Sequence, residues 1–230
     1  MARTRKRKDP WAEAVEHLRS LDPGWAARIE RIGPCLLTPR PDRFGTLVRA
    51  IIGQQISSKA AASIDGRLRT LAGEPHAPGG LLDLGETGLR GVGLSGVKAR
   101  YVLNLSRAVH DGTVPLDQMD TWDDEAIVAR LTTVKGVGIW TAEMFLIFAL
   151  NRPDVLPVGD LGVRVALRDR YGLADLPKPH ECRSMAEPWR PYRSVAIWYL
   201  WKELDTPVRQ ATPPAGTLPA TASESTWIST

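Results

Sequence analysis

Cysteine is nearly absent from this sequence. Cys35 and Cys182 are the two it has, and they lie far apart. No CxxC pair or Cys/His group is present to hold zinc or an iron–sulfur cluster, and two distant thiols make no disulfide framework. The four histidines, His17, His76, His110 and His180, are scattered and form no ligand pattern. Long apolar runs are missing as well. The longest candidate, residues 139–150, is interrupted by Thr141 and Glu143 and falls short of the roughly 18 residues a spanning helix needs. The basic N-terminus is followed by no apolar stretch, so it does not read as a secretory signal. Apolar–polar alternation never lasts long enough for a sheet. The expectation is an intracellular protein without a membrane partner, in the cytoplasm or nucleoid of a bacterium or the nucleus of a eukaryote.

What is present is ordinary globular material: 43% hydrophobic and 24% charged residues, in a length that suits one large or two small domains. The charge is unevenly placed. Arg3, Arg5, Lys6, Arg7 and Lys8 against Asp9 account for the entire net charge of +4, so residues 10–230 balance. A pI near 9.3 therefore reflects the tail and says nothing about the body. Residues 1–9 read as a flexible basic tail, either a phosphate-binding arm or an idle extension. Residues 205–230, rich in Thr, Pro, Ala and Ser, read as a disordered tail.

Between the tails the chain reads as helices joined by short loops. Asp9-Pro10 pairs a capping side chain with a first-turn proline and opens a helix over 11–20; Asp22-Pro23 repeats the device for a helix ending near Ile32. Asp42 precedes Phe44, Leu47, Val48, Ile51 and Ile52, a spacing that keeps one helix face apolar. Ser57 or Ser58 can cap a helix over 59–71, and Ser95 one over 96–110. Asp123, Asp124 and Glu125 place acid in the first turn of a helix ending near Thr132, where it complements the helix dipole. Further helices are expected over 139–150, 160–171 and 192–203. The fold class is all-α.

Two glycine turns lie between such helices, Leu89-Arg-Gly-Val-Gly93 and Val134-Lys-Gly-Val-Gly138. In the second, Gly136 and Gly138 permit positive φ and leave room for a phosphate against the backbone, whose free N–H groups open the next helix. For a lone Gly-x-Gly a plain helix–helix turn is the better reading, and the first copy is read that way. The second gains meaning from Leu156-Pro-Val-Gly-Asp160 downstream, where a carboxylate sits at the mouth of a new helix behind a Pro and a Gly. Asp160 could serve there as a simple N-cap. No Ser/His/Asp set, paired carboxylate or metal cluster competes with it as a reactive group.

A hairpin, an apolar helix, a Pro-containing loop and then an aspartate resemble the helix-hairpin-helix–Gly/Pro/Asp superfamily of DNA glycosylases. Three segments narrow the likeness: Arg49-Ala-Ile-Ile-Gly-Gln-Gln-Ile-Ser-Ser-Lys59, Val155-Leu-Pro-Val-Gly-Asp160-Leu-Gly, and Trp189-Arg-Pro-Tyr-Arg-Ser194 followed by Trp198 and Trp201. They are similar to the 3-methyladenine DNA glycosylase II family (AlkA/Mag type) over about residues 10–204. The resemblance implies two helical subdomains with the active-site cleft between them, and a hairpin at about 131–142. It implies an enzyme of base excision repair that hydrolyses the N-glycosidic bond of alkylated purines such as 3-methyladenine and 7-methylguanine, leaving an abasic site. The partner is double-stranded DNA carrying alkylated bases, the protein is a monomer, and no cofactor is required. Members with lyase activity have a lysine two residues after the second hairpin glycine. Trp140 stands there in this chain, so no amine is available for a Schiff base.

The resemblance also assigns roles. Asp160 is the catalytic carboxylate, stabilising the oxocarbenium-like sugar and orienting or deprotonating water. An alkylated purine is cationic and already a good leaving group, so electron-rich faces that stack on it suffice as a pocket. Trp140 and Trp201 are the candidates, with Tyr199 and Trp198 behind them and Met144 where some members have a pocket tyrosine. Base flipping leaves a gap that a side chain must fill. Gln55 is aligned with that wedge and Ile56 is next, although the same segment also reads as an inter-helix turn. Ser57, Ser58 and Lys59, with Lys135, Gly136, Val137, Gly138 and Thr141, are the expected contacts to the DNA backbone. A monovalent cation at the carbonyls of Thr132, Val134 and Val137 would bridge hairpin and phosphate. The reading from another class is a non-catalytic helix-hairpin-helix module that recognises damaged DNA, which would have no need of a carboxylate at 160.

Overall fold

The computed structural model describes residues 9–205. The tail at 1–8 and the Thr/Pro/Ala/Ser-rich segment from 206 lie outside the described residues. Within them the chain forms eleven α-helices and no strand: α1 (Ala12–Leu21), α2 (Pro23–Ile32), α3 (Arg43–Gly53), α4 (Ser58–Ala72), α5 (Pro78–Gly91), α6 (Gly96–His110), α7 (Asp124–Thr132), α8 (Ile139–Phe148), α9 (Leu161–Tyr171), α10 (Pro179–Ala186) and α11 (Arg193–Asp205). None is long and apolar enough to cross a membrane.

Local chemistry starts most of these helices. Six side chains accept the orphan N–H of the following first turn: Asp22 from Trp25, Asp42 from Gly45, Ser57 from Ala60, Ser95 from Lys98, Asp123 from Ala126 and Asp160 from Val163. Asp9 accepts from the Trp11 N–H, and α1 begins one residue later than the sequence suggests. Two helices had no sequence signal strong enough to announce them. In α5, Gly79, Gly80, Gly88 and Gly91 each cost roughly 1 kcal/mol relative to alanine, and Gly85 breaks the run at φ 61°. Packing against α6 holds α5 in place. Helix α10 is eight residues long and starts on a proline, with Glu181 accepting from the Lys178 N–H. The apolar run at 139–150 ends as helix at Phe148.

The helices sort into two groups. Helices α3–α8 pack among themselves, while α1 and α2 join α9, α10 and α11. Helix α3 is the centre of the first group, with Phe44, Leu47, Val48, Ile51 and Ile52 all buried, as their spacing required. The chain passes between the groups at the segment before α3 and again at the loop from α8 to α9, which ends at Asp160.

That second loop is pinned onto the start of α11. The Ser194 N–H donates to the Pro153 carbonyl at 2.9 Å, and the Ser194 Oγ accepts from the Val155 N–H at 2.9 Å. Arg193 and Arg190 both donate to the Asp154 carboxylate, at 2.6 and 2.7 Å. Ser194 is fully buried, so Ser194→Ala strands the Val155 N–H without an acceptor. The expected cost is about 1–3 kcal/mol, read from the midpoint of urea unfolding. An unchanged midpoint would show that the loop is held without Ser194.

Candidate active site

Asp160 sits at the junction of the two helix groups, and both groups donate to it. Its Oδ2 accepts the indole N–H of Trp140, on α8, at 2.7 Å. Its Oδ1 accepts the indole N–H of Trp201, on α11, at 3.1 Å, and the backbone N–H of Val163 at 2.9 Å. The carboxylate is therefore an N-cap, as its position suggested, and also the meeting point of two tryptophans. Gly162 makes the approach possible: a Cβ there would lie 3.1 Å from Asp160 Oδ1 and 3.4 Å from the Trp201 ring.

The tryptophans thus do something the sequence did not suggest. Their ring edges hold Asp160 by hydrogen bonds, and their faces remain a separate resource. One face of Trp201 stacks on Phe148, with centroids 5.7 Å apart and planes 21° apart, and Arg40 lies over Phe148 in turn. The Trp140 ring lies beside Gly53 at the end of α3, where a Cβ would come within 3.9 Å of it. Tyr199 is not brought into this group. It is fully buried, and its hydroxyl donates to the Gly33 carbonyl at 3.0 Å. Trp198 packs edge-on against Tyr199 in the core, and Met144 is also buried there.

Beside Asp160 stands a second carboxylate, contrary to the expectation that none does. Glu143 is the single charged residue of α8, one turn beyond Trp140, and is half-buried. Desolvation, together with the nearby negative charge of Asp160, pushes its pKa up to about 7; Arg183 on α10 pulls the other way. A lone acid in an otherwise apolar helix was the available sequence signal.

The α3–α4 turn carries Gln55 and Ile56, both exposed. Gln55 adopts φ 57°, a left-handed conformation uncommon for a residue with a Cβ. The turn is held there by two residues that sequence reasoning did not single out. The Gln54 side chain donates to the Gly136 carbonyl and to Thr141 Oγ1, each at 3.0 Å. Lys98, on α6, donates to the carbonyls of Ile52 and Gln54 at 2.7 and 2.6 Å, closing the C-terminus of α3, and burial lowers its pKa. The signals were faint, since both partners of each contact are far apart in sequence.

Ser57, Ser58 and Lys59 are exposed at the start of α4, and Lys135 and Gly138 are exposed in the hairpin. Two expected contacts are not available as side chains: Thr141 is buried and bound to Gln54, and Val137 is 4% exposed. Gly136 has φ 106° and faces Tyr101, and Asn104 donates to the Lys135 carbonyl at 3.1 Å. The hairpin is therefore braced from α6 on one side and from the α3–α4 turn on the other. Of the three carbonyls considered for a cation, that of Val134 accepts the Val137 N–H at 2.9 Å. No cluster of His, Cys, Asp and Glu side chains that could hold a metal occurs among the described residues.

The chain is similar to known proteins over most of its length. Residues 48–191 match the family model described as HhH-GPD superfamily base excision DNA repair protein. DNA-3-methyladenine glycosylase 1 of Schizosaccharomyces pombe is 33% identical over 196 residues, covering 83% of this chain and 86% of that protein. The alkylbase DNA glycosidase-like protein mag2 of the same organism is 29% identical over 198 residues, covering 84% and 93%. Among solved structures, the S. pombe 3-methyladenine DNA glycosylase in complex with abasic DNA superposes with a TM-score of 0.78 at 31% identity, covering 85% of this chain and 98% of that one.

The two hairpin glycines should differ sharply on substitution. In Gly136→Ala, the new Cβ would lie 2.2 Å from Tyr101 Cγ on a positive-φ backbone, whereas at Gly138 nothing lies within 4 Å. Gly136→Ala should lose more than about 2 kcal/mol, and Gly138→Ala less than about 1 kcal/mol. Thermal melting of the two variants side by side checks this.

Proposed function

The chain belongs to the HhH-GPD superfamily of base excision DNA repair proteins, and we propose that it is a monofunctional DNA glycosylase. It hydrolyses the N-glycosidic bond of alkylated purines and leaves an abasic site. The observation that carries this reading is a carboxylate, Asp160, held at the junction of two helix groups by the indoles of Trp140 and Trp201. A passive DNA-binding module has no use for an ionisable group fixed from three sides beside half-buried aromatic rings.

The reaction follows from the geometry. The glycosidic bond is out of reach inside a duplex, so the nucleotide must be extruded. Gln55, at the exposed left-handed corner of the α3–α4 turn, is placed to fill the gap, with Ile56 beside it. Exposed Ser57, Ser58, Lys59 and Lys135, with the hairpin backbone, hold the flanking phosphates. Among the described residues the Thr132 and Val137 carbonyls take no N–H outside the helices, so with Val134 they offer neutral oxygens suited to a monovalent cation near the DNA backbone. The extruded purine stacks on the free aromatic faces of Trp140 and Trp201, and its positive charge favours those faces. As the C1′–N bond breaks, positive charge grows on the sugar. The Asp160 carboxylate stabilises that charge and orients the water that attacks C1′.

The positions of the amines support hydrolysis rather than lyase chemistry. Trp140 occupies the position a Schiff-base lysine would need, and the Lys98 ammonium is committed to two carbonyls. The enzyme acts as a monomer on double-stranded DNA.

The deciding experiment uses oligonucleotides carrying 3-methyladenine or 7-methylguanine, with alkali cleavage of abasic product. Asp160→Asn should lower base release roughly a thousand-fold while abasic DNA is still bound. Borohydride should trap no covalent protein–DNA adduct. Release by the variant at the parental rate would remove Asp160 from the chemistry, and a trapped adduct would overturn the assignment as monofunctional.

A second set of variants separates the edges of the tryptophans from their faces. Trp140→Phe and Trp201→Phe keep a π face but delete the N–H that Asp160 accepts. A hydrogen bond to a charged group is worth about 1.5–3 kcal/mol, so kcat should fall about ten- to a hundred-fold with little change in affinity for abasic DNA. Unchanged kcat would leave stacking as the whole contribution of these rings.

A further inference from the structure

We propose that Glu143 is a second catalytic residue, the acid that protonates a departing purine that carries no charge of its own. The inference rests on the glycosylase reading and extends it from cationic to neutral damaged bases. Its basis is the grouping of side chains at the mouth of α9. Trp140 and Glu143 are three residues apart on α8 and so share a face of that helix. Trp140 reaches Asp160 from that face. Glu143 therefore lies on the side of α8 that looks toward Asp160, and it is half-buried. The charged groups acting on it are Asp160 and Arg183; helices α3 and α7, which also pack on α8, contribute none.

These surroundings favour the acid form. A second carboxylate beside Asp160 cannot easily ionise, because desolvation and the neighbouring negative charge both oppose it; the pKa of about 7 reflects this. Two carboxyl groups in different surroundings can divide the work of a hydrolysis at carbon. Asp160 serves the sugar, and Glu143 keeps a proton for the base.

The step balances simply. The C1′–N9 bond breaks and its electron pair goes to the purine. The Glu143 carboxyl proton passes to a ring nitrogen, so that the base leaves as a neutral molecule. Water adds to C1′ and gives up its proton to Asp160 or to solvent, and Glu143 regains a proton from solvent. A base alkylated at N3 or N7 already carries its positive charge and does not need this proton.

The test compares hypoxanthine, a neutral damaged purine, with 3-methyladenine in the same enzyme preparation, so that any general loss of activity divides out. In the unsubstituted protein the ratio of hypoxanthine to 3-methyladenine release should be flat below about pH 7 and fall about ten-fold per pH unit above it. In Glu143→Gln the ratio should drop by about a hundred-fold and lose its pH dependence. Folding is monitored independently. The folded pKa of Glu143 lies above its unfolded value, so its stabilising effect is present at low pH and is lost as pH rises through about 7. Glu143→Gln should therefore melt above the parent at about pH 8 and gain less at about pH 5. A ratio that Glu143→Gln leaves intact, or that does not respond to pH in the parent, overturns the proposal. So does a parent that releases 3-methyladenine but no hypoxanthine at any pH. A parent that releases neither base overturns the glycosylase reading itself, and this proposal with it.

Discussion

A carboxylate at a junction between two packed bodies must be held by both if it is to keep its charge. Asp160 meets that demand with three donors: an indole N–H from α8, another from α11, and the backbone N–H of Val163. Removing a charge from water is costly unless fixed dipoles replace the lost hydration. Much of the surrounding architecture follows from supplying those dipoles. Gly162 clears the space beside Asp160 Oδ1, and the Asp154–Arg193 and Ser194–Val155 contacts fix the loop that delivers Asp160. The helix cap and the reactive group are one side chain because the same in-plane oxygens serve both purposes.

Edge and face of an indole are separate resources, and that resolves an apparent conflict over the tryptophans. The N–H lies in the ring plane and points at Asp160, while the π surfaces lie at right angles to it. Trp201 has given one surface to Phe148, so a flat partner would have to use the opposite one. A base stacked there would therefore lie beside the carboxylate and not above it. Glu143, on the same helix face as Trp140, belongs to the rim of this arrangement.

The sequence was legible where the chemistry is local. Asp22, Asp42, Ser57, Ser95, Asp123 and Asp160 cap helices because a side-chain oxygen three residues before an N–H finds it without help from the rest of the chain. The buried face of α3 was legible for the same reason, through its spacing. Helix α5 was not, because its glycines oppose helix formation and only packing on α6 overrides them. Gln54 and Lys98 were invisible because each acts on backbone that the fold brings to it from another element. Tyr199 was drawn toward the pocket by its position beside Trp198 and Trp201, yet the helical period turns it inward, to the Gly33 carbonyl.

The first turn of α8 joins the two ends of the site. Thr141 Oγ1 accepts from Gln54, which shapes the corner at Gln55, and the adjacent Trp140 donates to Asp160. The exposed corner and the carboxylate are thus connected through two consecutive residues on one helical turn, with the Gly136 carbonyl as a further anchor for Gln54. A helical turn has no soft dihedral to spare once its hydrogen bonds and packing are fixed, so these parts keep their spacing. In the proposed reaction, filling the gap left by a flipped nucleotide and aligning its sugar with a carboxylate would require that constancy, since an ångström of slack at either end would separate the stacked base from Asp160. On the proposed reading, the part-buried hydrogen bond between Gln54 and Thr141 is a spacer that sets this distance rather than a contribution to stability alone.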